Sequence, residues 1–402
     1  MLPSSGGRRL VPLFRRAAAA AAAAAGGTNP FHPRPHAESF SNRWYLSTPP
    51  ARTLDAAPCR TTASYLVASC GVSPAAAAAA SRRIRIISTA KADAVLAILR
   101  RYGFSDAHIA RMLRNAPQLL LADPDKVVRP KLQFFASLGI PAVILAGTTR
   151  LLFCSLHNHL IPCVEFLRGI LRTDADIRTA VSSNPYGFVP DLDKNMRPAV
   201  EALRRHGLSE EAISELLLLN LRVLWYTPHR IAGIFEDLQS LGLPITDTRF
   251  LRCFAVMCNL RRETIWRRLA LYQSLGLSKC QVAKAFLTQP KLLGLAEENI
   301  QRKLLFFRDE LKIALSQLIA RPHVFTFSME KNILPKCAVL SILMRSGKIQ
   351  RDINLLGSLA LSTKQFTEKY VKKYEKDVPD VVGAYEGKTK FSGFMDKDFE
   401  VR

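Results

Sequence analysis

Basic side chains recur along this chain at positions that could bind a series of phosphate groups. Counted from seven regularly spaced anchor residues, lysine or arginine returns 9 to 14 residues further on in six of the seven units. Offsets of three to five place such side chains on adjoining parts of one helical surface. Neutralising phosphates there would release condensed counterions and so favour binding of a polyanion. The candidate nucleic-acid-binding residues are Lys126, Arg129, Lys131, Lys194, Arg197, Arg230, Arg267, Arg268, Arg302, Lys303, Lys331 and Lys336.

A second interpretation stays open for each of these positions, because basic residues also form the solvated face of an ordinary amphipathic helix. Recurrence across several units favours the phosphate-binding interpretation. The predicted basic stripe should weaken in two units, where only Arg168 and Arg230 are available.

Residues that could carry catalysis or hold a metal form no recognisable pattern. The chain contains no phosphate-binding glycine loop, no metalloprotease helix motif and no nucleophile elbow. Its eight cysteines form no Cys-x-x-Cys pair, and the spacing of Cys154, His157, His159 and Cys163 matches no common zinc site. The sequence therefore predicts a protein that is not an enzyme, with no catalytic residue, metal ligand or cofactor.

The elements that must position the basic residues follow from an internal repeat. A proline or its substitute, a Leu-rich turn, a basic helix and a glycine return about every 34 residues. Such a period predicts a solenoid whose units are stabilised by stacking on their neighbours. The anchors fall at Pro117, Thr149, Pro185, Asn220, Phe254, Pro290 and Pro322.

Each unit is predicted to be a helical hairpin. Apolar residues 11, 15 and 18 positions after the anchor, such as Val128, Leu132 and Phe135, share one stripe of a first helix. A glycine then ends that helix, and a serine caps the second helix in segments such as Gly103-Phe104-Ser105. The next anchor proline ends the second helix, because proline disfavours helical geometry in the preceding residue.

The predicted fold is therefore all-α, a right- or left-handed superhelical solenoid of degenerate helical-hairpin repeats. No alternating strand pattern recurs, and no strongly apolar run is long enough to be a good membrane span. We predict an organelle transit peptide and disordered leader over residues 1–60, the solenoid over 61–350, and a C-terminal helical cap with a polar tail over 351–402.

The leader differs in composition from the rest of the chain. Residues 1–60 hold eight arginines, no lysine and two acids, a composition typical of organelle transit peptides. Segment 43–47 is similar to a mitochondrial processing site, so we predict a mitochondrial protein, with the chloroplast as the alternative. Of the chain's net charge of +24, +18 lies outside the leader and suggests a polyanionic partner.

The ordered series of motifs resembles the mitochondrial transcription termination factor (mTERF) family in its plant form. The residues that carry the resemblance are the Pro-x-Leu-Leu turns, the corner Arg101-Tyr102-Gly103-Phe104-Ser105-Asp106, and the segment from Pro130 to Gly139. The resemblance covers about residues 64 to 390 and implies a curved superhelix that binds nucleic acid along a positive groove.

These observations predict a monomeric regulator of organelle gene expression that binds double-stranded DNA and acts in transcription termination or regulation. Two alternatives remain. One is an organelle RNA-binding factor for splicing or processing, and the other is a helical scaffold that binds proteins.

Overall fold

The computed structural model describes residues 59–394 of the chain. Within this range every regular element is helical and no strand occurs. The α-helices are α1 Arg60–Cys70, α2 Pro74–Ser81, α3 Thr89–Arg101, α4 Asp106–Asn115, α5 Arg129–Ser137, α6 Ala142–Gly147, α7 Ile161–Leu171, α8 Asp174–Ser183, α9 Arg197–Arg205, α10 Glu210–Leu219, α11 Pro228–Ser240, α12 Phe250–Met257, α13 Arg262–Ser274, α14 Lys279–Thr288, α15 Glu297–Leu305, α16 Leu315–Ala320, α17 Leu334–Arg345, α18 Leu355–Ala360, α19 Thr363–Phe366 and α20 Asp380–Tyr385.

Short 3-10 helices stand between hairpins and correspond to the Leu-rich turns of the repeat. We call each of them a plug. The residue before each plug has non-helical backbone angles, as at Ala116 with φ −140° and ψ 65°, which confirms that the second helix stops there. The plugs are Pro117–Leu121, Thr149–Phe153, Pro185–Phe188, Leu221–Trp225, Pro290–Gly294 and Pro322–Thr326.

Several first helices begin with a wide π-helical turn. These turns are Pro124–Val128, Leu156–Leu160, Leu192–Met196 and Met329–Ile333. A proline follows each turn two residues later, at positions 130, 162, 198 and 335. Proline cannot donate to the carbonyl four residues before it and clashes with that carbonyl, so the widened turn accommodates the ring.

The predicted apolar stripe is confirmed. Val128, Leu132 and Phe135 are at most 2% exposed, and the corresponding residues of α7, α9 and α13 are also buried. Apolar residues of the second helices, among them Ile109 and Ile213, are fully buried as well. The hairpins therefore bury their apolar faces in one continuous core.

The glycine corners are also confirmed. Gly103 and Gly207 have φ of 81° and 90°, a left-handed conformation that glycine adopts without strain. Ser105 then caps α4 in a capping box with His108. Glycine and serine together therefore set the hairpin angle.

Two predicted anchors need correction. The fourth plug begins at Leu221, and Asn220 is the buried cap before it. Phe254 lies inside α12, and only four residues connect α12 to α13, from Cys258 to Arg261. This connection is too short for a plug, so the repeat centred there lacks one.

The helices after residue 350 continue the stacking, because α20 packs on α17. The predicted transit peptide lies outside the described residues except for Cys59 and Arg60, and the end of the polar tail, from residue 395, also lies outside them. The domain bounds stay a prediction. No helix within residues 59–394 is long and apolar enough to cross a membrane.

Candidate nucleic-acid interface

The basic residues lie at two opposite edges of the hairpin array. In most units the first helix runs away from a plug, turns at a corner and is followed by a second helix that returns to the next plug. The corner residue with left-handed backbone is usually a glycine, but it is Arg172 after α7 and Lys312 after α15. We call the side that holds the plugs, the starts of first helices and the ends of second helices the plug edge. The side that holds the glycine corners is the turn edge.

The predicted surface position is wrong for three lysines. Lys131, Lys303 and Lys336 are 4%, 4% and 0% exposed. Their ammonium groups point into the array because each lies beside the apolar stripe. Burial lowers the pKa of all three to about 8, since desolvation penalises the charged form.

These lysines hydrogen-bond to backbone carbonyls of the following unit. Lys131 Nζ donates to the carbonyl of Leu152 at 2.8 Å. Lys303 Nζ donates to the carbonyls of Phe325 and Phe327, the latter at 2.7 Å. A buried amine thus satisfies carbonyls that a 3-10 helix leaves without intrahelical partners. We call such a side chain an inter-repeat link.

Two predicted arginines make similar links. Arg230 donates to the carbonyl of Leu260 at 2.9 Å, and Arg268 donates to the carbonyl of Leu293. In the unit anchored at Thr149, His159 Nε2 lies 2.8 Å from the carbonyl oxygen of Phe188. Five of the twelve predicted interface residues therefore bind the protein's own backbone.

Three other predicted residues occupy equivalent exposed positions at the plug edge. Lys126, Lys194 and Lys331 each lie in the π-helical turn that starts a first helix. The side chain of an Asp or Ser three residues earlier caps the backbone amide of each lysine. Among the described residues, no carboxylate forms an ion pair with any of the three ammonium groups.

The remaining four predicted residues are arginines that pair with exposed or partly exposed acids. Arg129 and Arg197 bind Asp125 at 2.6 Å and Asp193 at 3.0 Å, each one helical turn earlier. The other two pairs cross between units: Arg267 with Glu297 at 2.7 Å, and Arg302 with Glu330. Exposed pairs of this kind contribute little to stability, so an incoming phosphate can replace the carboxylate.

Several arginines at the turn edge are paired with nearby acids. Arg168 binds Asp174 at 2.8 Å, and Arg204 binds Glu210 at 2.6 Å; Arg100 and Asp106 pair at the same six-residue offset. The hydrogen bonds from Arg168 and Arg204 lower the pKa of the Asp174 and Glu210 carboxyls. These arginines span the corners between first and second helices, and their charge is balanced by the paired acids.

Trp225 and the thiols of Cys154 and Cys163 make contacts within the array. Trp225 Nε1 donates to the carbonyl of Tyr186 at 2.9 Å, which joins two plugs. Cys154 and Cys163 are buried, and Cys163 Sγ lies 3.9 Å from His159 Nε2. Within residues 59–394 no group of three or more His, Cys, Asp or Glu side chains could hold a metal ion.

Comparison with known proteins agrees with the all-helical repeat fold. The family model "mTERF" matches residues 96–148 and 142–367. A curated relative, "Transcription termination factor MTERF15, mitochondrial" from Arabidopsis thaliana, is 21% identical over 284 residues, which are 69% of this chain and 54% of the relative. The alignment thus spans about half of the relative's length. Because the family model covers most of an all-helical repeat array, this chain belongs to the mTERF family.

Proposed function

We propose that the protein is a non-enzymatic regulator of organelle gene expression that binds nucleic acid along its plug edge. The observation that carries this proposal is the recurrence of an exposed lysine at one position of the first helix, at Lys126, Lys194 and Lys331. Membership in the mTERF family supports a role in organelle gene expression.

Stability alone gives no reason for lysine at this position. The amides at a helix N-terminus carry partial positive charge, so a cation in the first turn is unfavourable by a few tenths of a kcal/mol. A bound phosphate would make the lysine favourable at this position, because the phosphate interacts favourably with both the helix N-terminus and the ammonium group. Recurrence of the lysine therefore favours a ligand over chance.

Exchangeable arginines extend the same surface. Arg129 and Arg197 lie one turn after Lys126 and Lys194, and their acid partners are 70% and 81% exposed. Arg267 and Arg302 add exposed guanidinium groups in later units. We retain these seven residues as the proposed phosphate contacts and assign the five inter-repeat links to the fold.

Double-stranded DNA is the proposed ligand. Transcription termination or regulation is the proposed outcome, and the name of the Arabidopsis relative, a transcription termination factor, supports that part of the proposal. An RNA-binding role in splicing or processing is the alternative within the same chemistry. The relative's name also says mitochondrial, which supports an organelle address here. We propose the mitochondrion, with the chloroplast as the alternative, and a monomeric protein.

The test compares binding of duplex DNA and of single-stranded RNA of the same mixed sequence by fluorescence anisotropy across a salt series. Lys126, Lys194 and Lys331 are all changed to Gln in the full chain. Losing three phosphate contacts should reduce the slope of log affinity against log salt by about 2.7 for duplex DNA or about 2.1 for a single strand.

A matched variant changes Arg101, Arg205 and Lys279 to Gln. These exposed residues lie at the turn edge, and the change in net charge is the same. This control should keep the wild-type slope. Equal loss in both variants would show that only net charge matters, and failure of the wild-type protein to bind either probe would favour the protein-binding scaffold.

A further inference from the structure

In each plug the side chain of the second residue is at least partly exposed. In the first plug Pro117, Leu119 and Leu120 are buried and Gln118 is not. The third residue is buried in all six plugs. The six second residues are Gln118, Arg150, Tyr186, Arg222, Lys291 and His323. We call this set the plug row.

Direct contact joins two pairs of successive plugs, the third with the fourth and the fifth with the sixth. Trp225 Nε1 of one plug donates to the carbonyl of Tyr186 in the plug before it, at 2.9 Å. A Cβ added at Gly187 would lie 2.4 Å from Cγ of Leu221, so the two plug backbones approach closely. The last two plugs, Pro290–Gly294 and Pro322–Thr326, also contact each other.

The row has a consistent chemistry. All six side chains can donate a hydrogen bond, three are cationic at neutral pH, and none is acidic or aliphatic. Acids do occur nearby, at Asp123 and Asp191, but they cap the first helices. A ligand recognised by this row must therefore present acceptors and negative charge at a regular interval, as a phosphodiester chain does.

The row is interrupted once. The unit at α12 has no plug, so the position between Arg222 and Lys291 is not filled by an equivalent residue. At the other end the row is extended, because Arg83 donates to Gln118 Oε1 at 3.4 Å and to the carbonyl of Asn115 at 3.1 Å. Two segments result, one before and one after α12.

We propose that the plug row is a second line of contact to the nucleic acid, with one side chain from each plug reaching its phosphodiester backbone. This inference rests on the proposed function. It assigns residues that lie outside the basic stripe predicted from sequence, and it sets the spacing of contacts to one per repeat. Arg150, Arg222 and Lys291 supply the charge, and Gln118, Tyr186 and His323 supply further hydrogen-bond donors.

The test changes Arg150, Arg222 and Lys291 to Gln in the full chain and uses the same two probes and salt series. The slope should fall by about 2.7 on duplex DNA or about 2.1 on a single strand, and the affinity should weaken roughly tenfold or more. A charge-retaining variant, Arg150→Lys with Arg222→Lys and Lys291→Arg, should keep the wild-type slope.

The turn-edge variant of Arg101, Arg205 and Lys279 is the matched control. If the wild-type protein binds and the plug-row variant keeps its slope, the plug-row inference is wrong while the proposed function stands. If the wild-type protein binds neither probe, both are wrong. Should the triple variant fail to fold, Lys291→Gln alone serves, because Lys291 is exposed and its loss should lower the slope by about 0.7 to 0.9.

Discussion

The ammonium group of Lys131 donates a hydrogen bond of 2.8 Å to the backbone carbonyl of Leu152, which belongs to the next repeat. The lysine is only 4% exposed, so its ammonium group interacts with the protein's own backbone and is not available to a ligand. Lys303 and Lys336 make the same kind of link further along the array. Part of the recurring positive charge therefore holds successive repeats together.

Replacing Lys336 by Met should destabilise the protein. Lys336 is fully buried, and its Nζ donates to the carbonyls of Leu359 at 3.0 Å and Leu361 at 2.6 Å. Met keeps much of the side-chain volume but leaves both carbonyls without this donor, at a cost of about 1–3 kcal/mol. Urea unfolding measures the loss, and Lys331→Met, at an exposed position, should change stability by less than about 0.5 kcal/mol. Equal stability of the two variants would contradict the role of Lys336 in linking the repeats.

The contribution of Lys336 should depend on pH. Its pKa is about 8 in the folded protein against an ordinary value of 10.5, so the unfolded chain binds more protons between these values. Stability from this group therefore rises with pH across that window. The difference in unfolding free energy between wild type and Lys336→Met should grow from about pH 7 to about pH 10. A constant or shrinking difference would contradict a depressed pKa.

Gly187→Ala should destabilise the contact between two plugs. The new Cβ would lie 2.4 Å from Cγ and 2.6 Å from Cδ2 of Leu221, and Leu221 is fully buried. Overpacking of this kind costs about 1–3 kcal/mol. Gly169→Ala is the control, because nothing lies within 4 Å of its added Cβ and the residue is inside α7. Thermal unfolding should show a lower midpoint for Gly187→Ala and an unchanged or higher one for Gly169→Ala.

Arg262→Met should leave the buried carboxylate of Asp237 without its ion-pair partner. Asp237 is 1% exposed, and its Oδ1 accepts from Arg262 Nε at 3.0 Å and from a terminal guanidinium nitrogen at 2.7 Å. Removing the arginine should cost about 2–4 kcal/mol in urea unfolding. Adding Asp237→Asn to that variant should recover part of the loss, since the buried group is then neutral. A double variant less stable than Arg262→Met would contradict this explanation.

The apolar stripe, the glycine corners and the serine caps could be predicted because each depends on residues close in sequence. Val128, Leu132 and Phe135 share a helix face by spacing alone. Gly103 and Ser105 act within one corner. The anchor predicted at Phe254 is wrong because spacing alone cannot distinguish a plug from a helix. Here the connection between α12 and α13 is too short to hold a plug.

The inter-repeat links could not be predicted from local pattern. Lys126 and Lys131 both follow the same anchor, yet one is exposed and the other buried. Which carbonyl a long side chain reaches depends on how the next repeat stacks, and that is a tertiary property. The plug row did leave a signal, because a polar residue such as Arg150 or Lys291 stands between an anchor and a Leu-Leu pair.

The most direct test of the central claim is ultraviolet crosslinking of the full chain to duplex DNA and to RNA, followed by mass spectrometry of the crosslinked peptides. The account predicts crosslinks at the plug edge, in peptides that contain Lys126, Arg150, Lys194 or Arg222, with either probe that binds. Crosslinks concentrated at the glycine corners, or none with either probe, would contradict it.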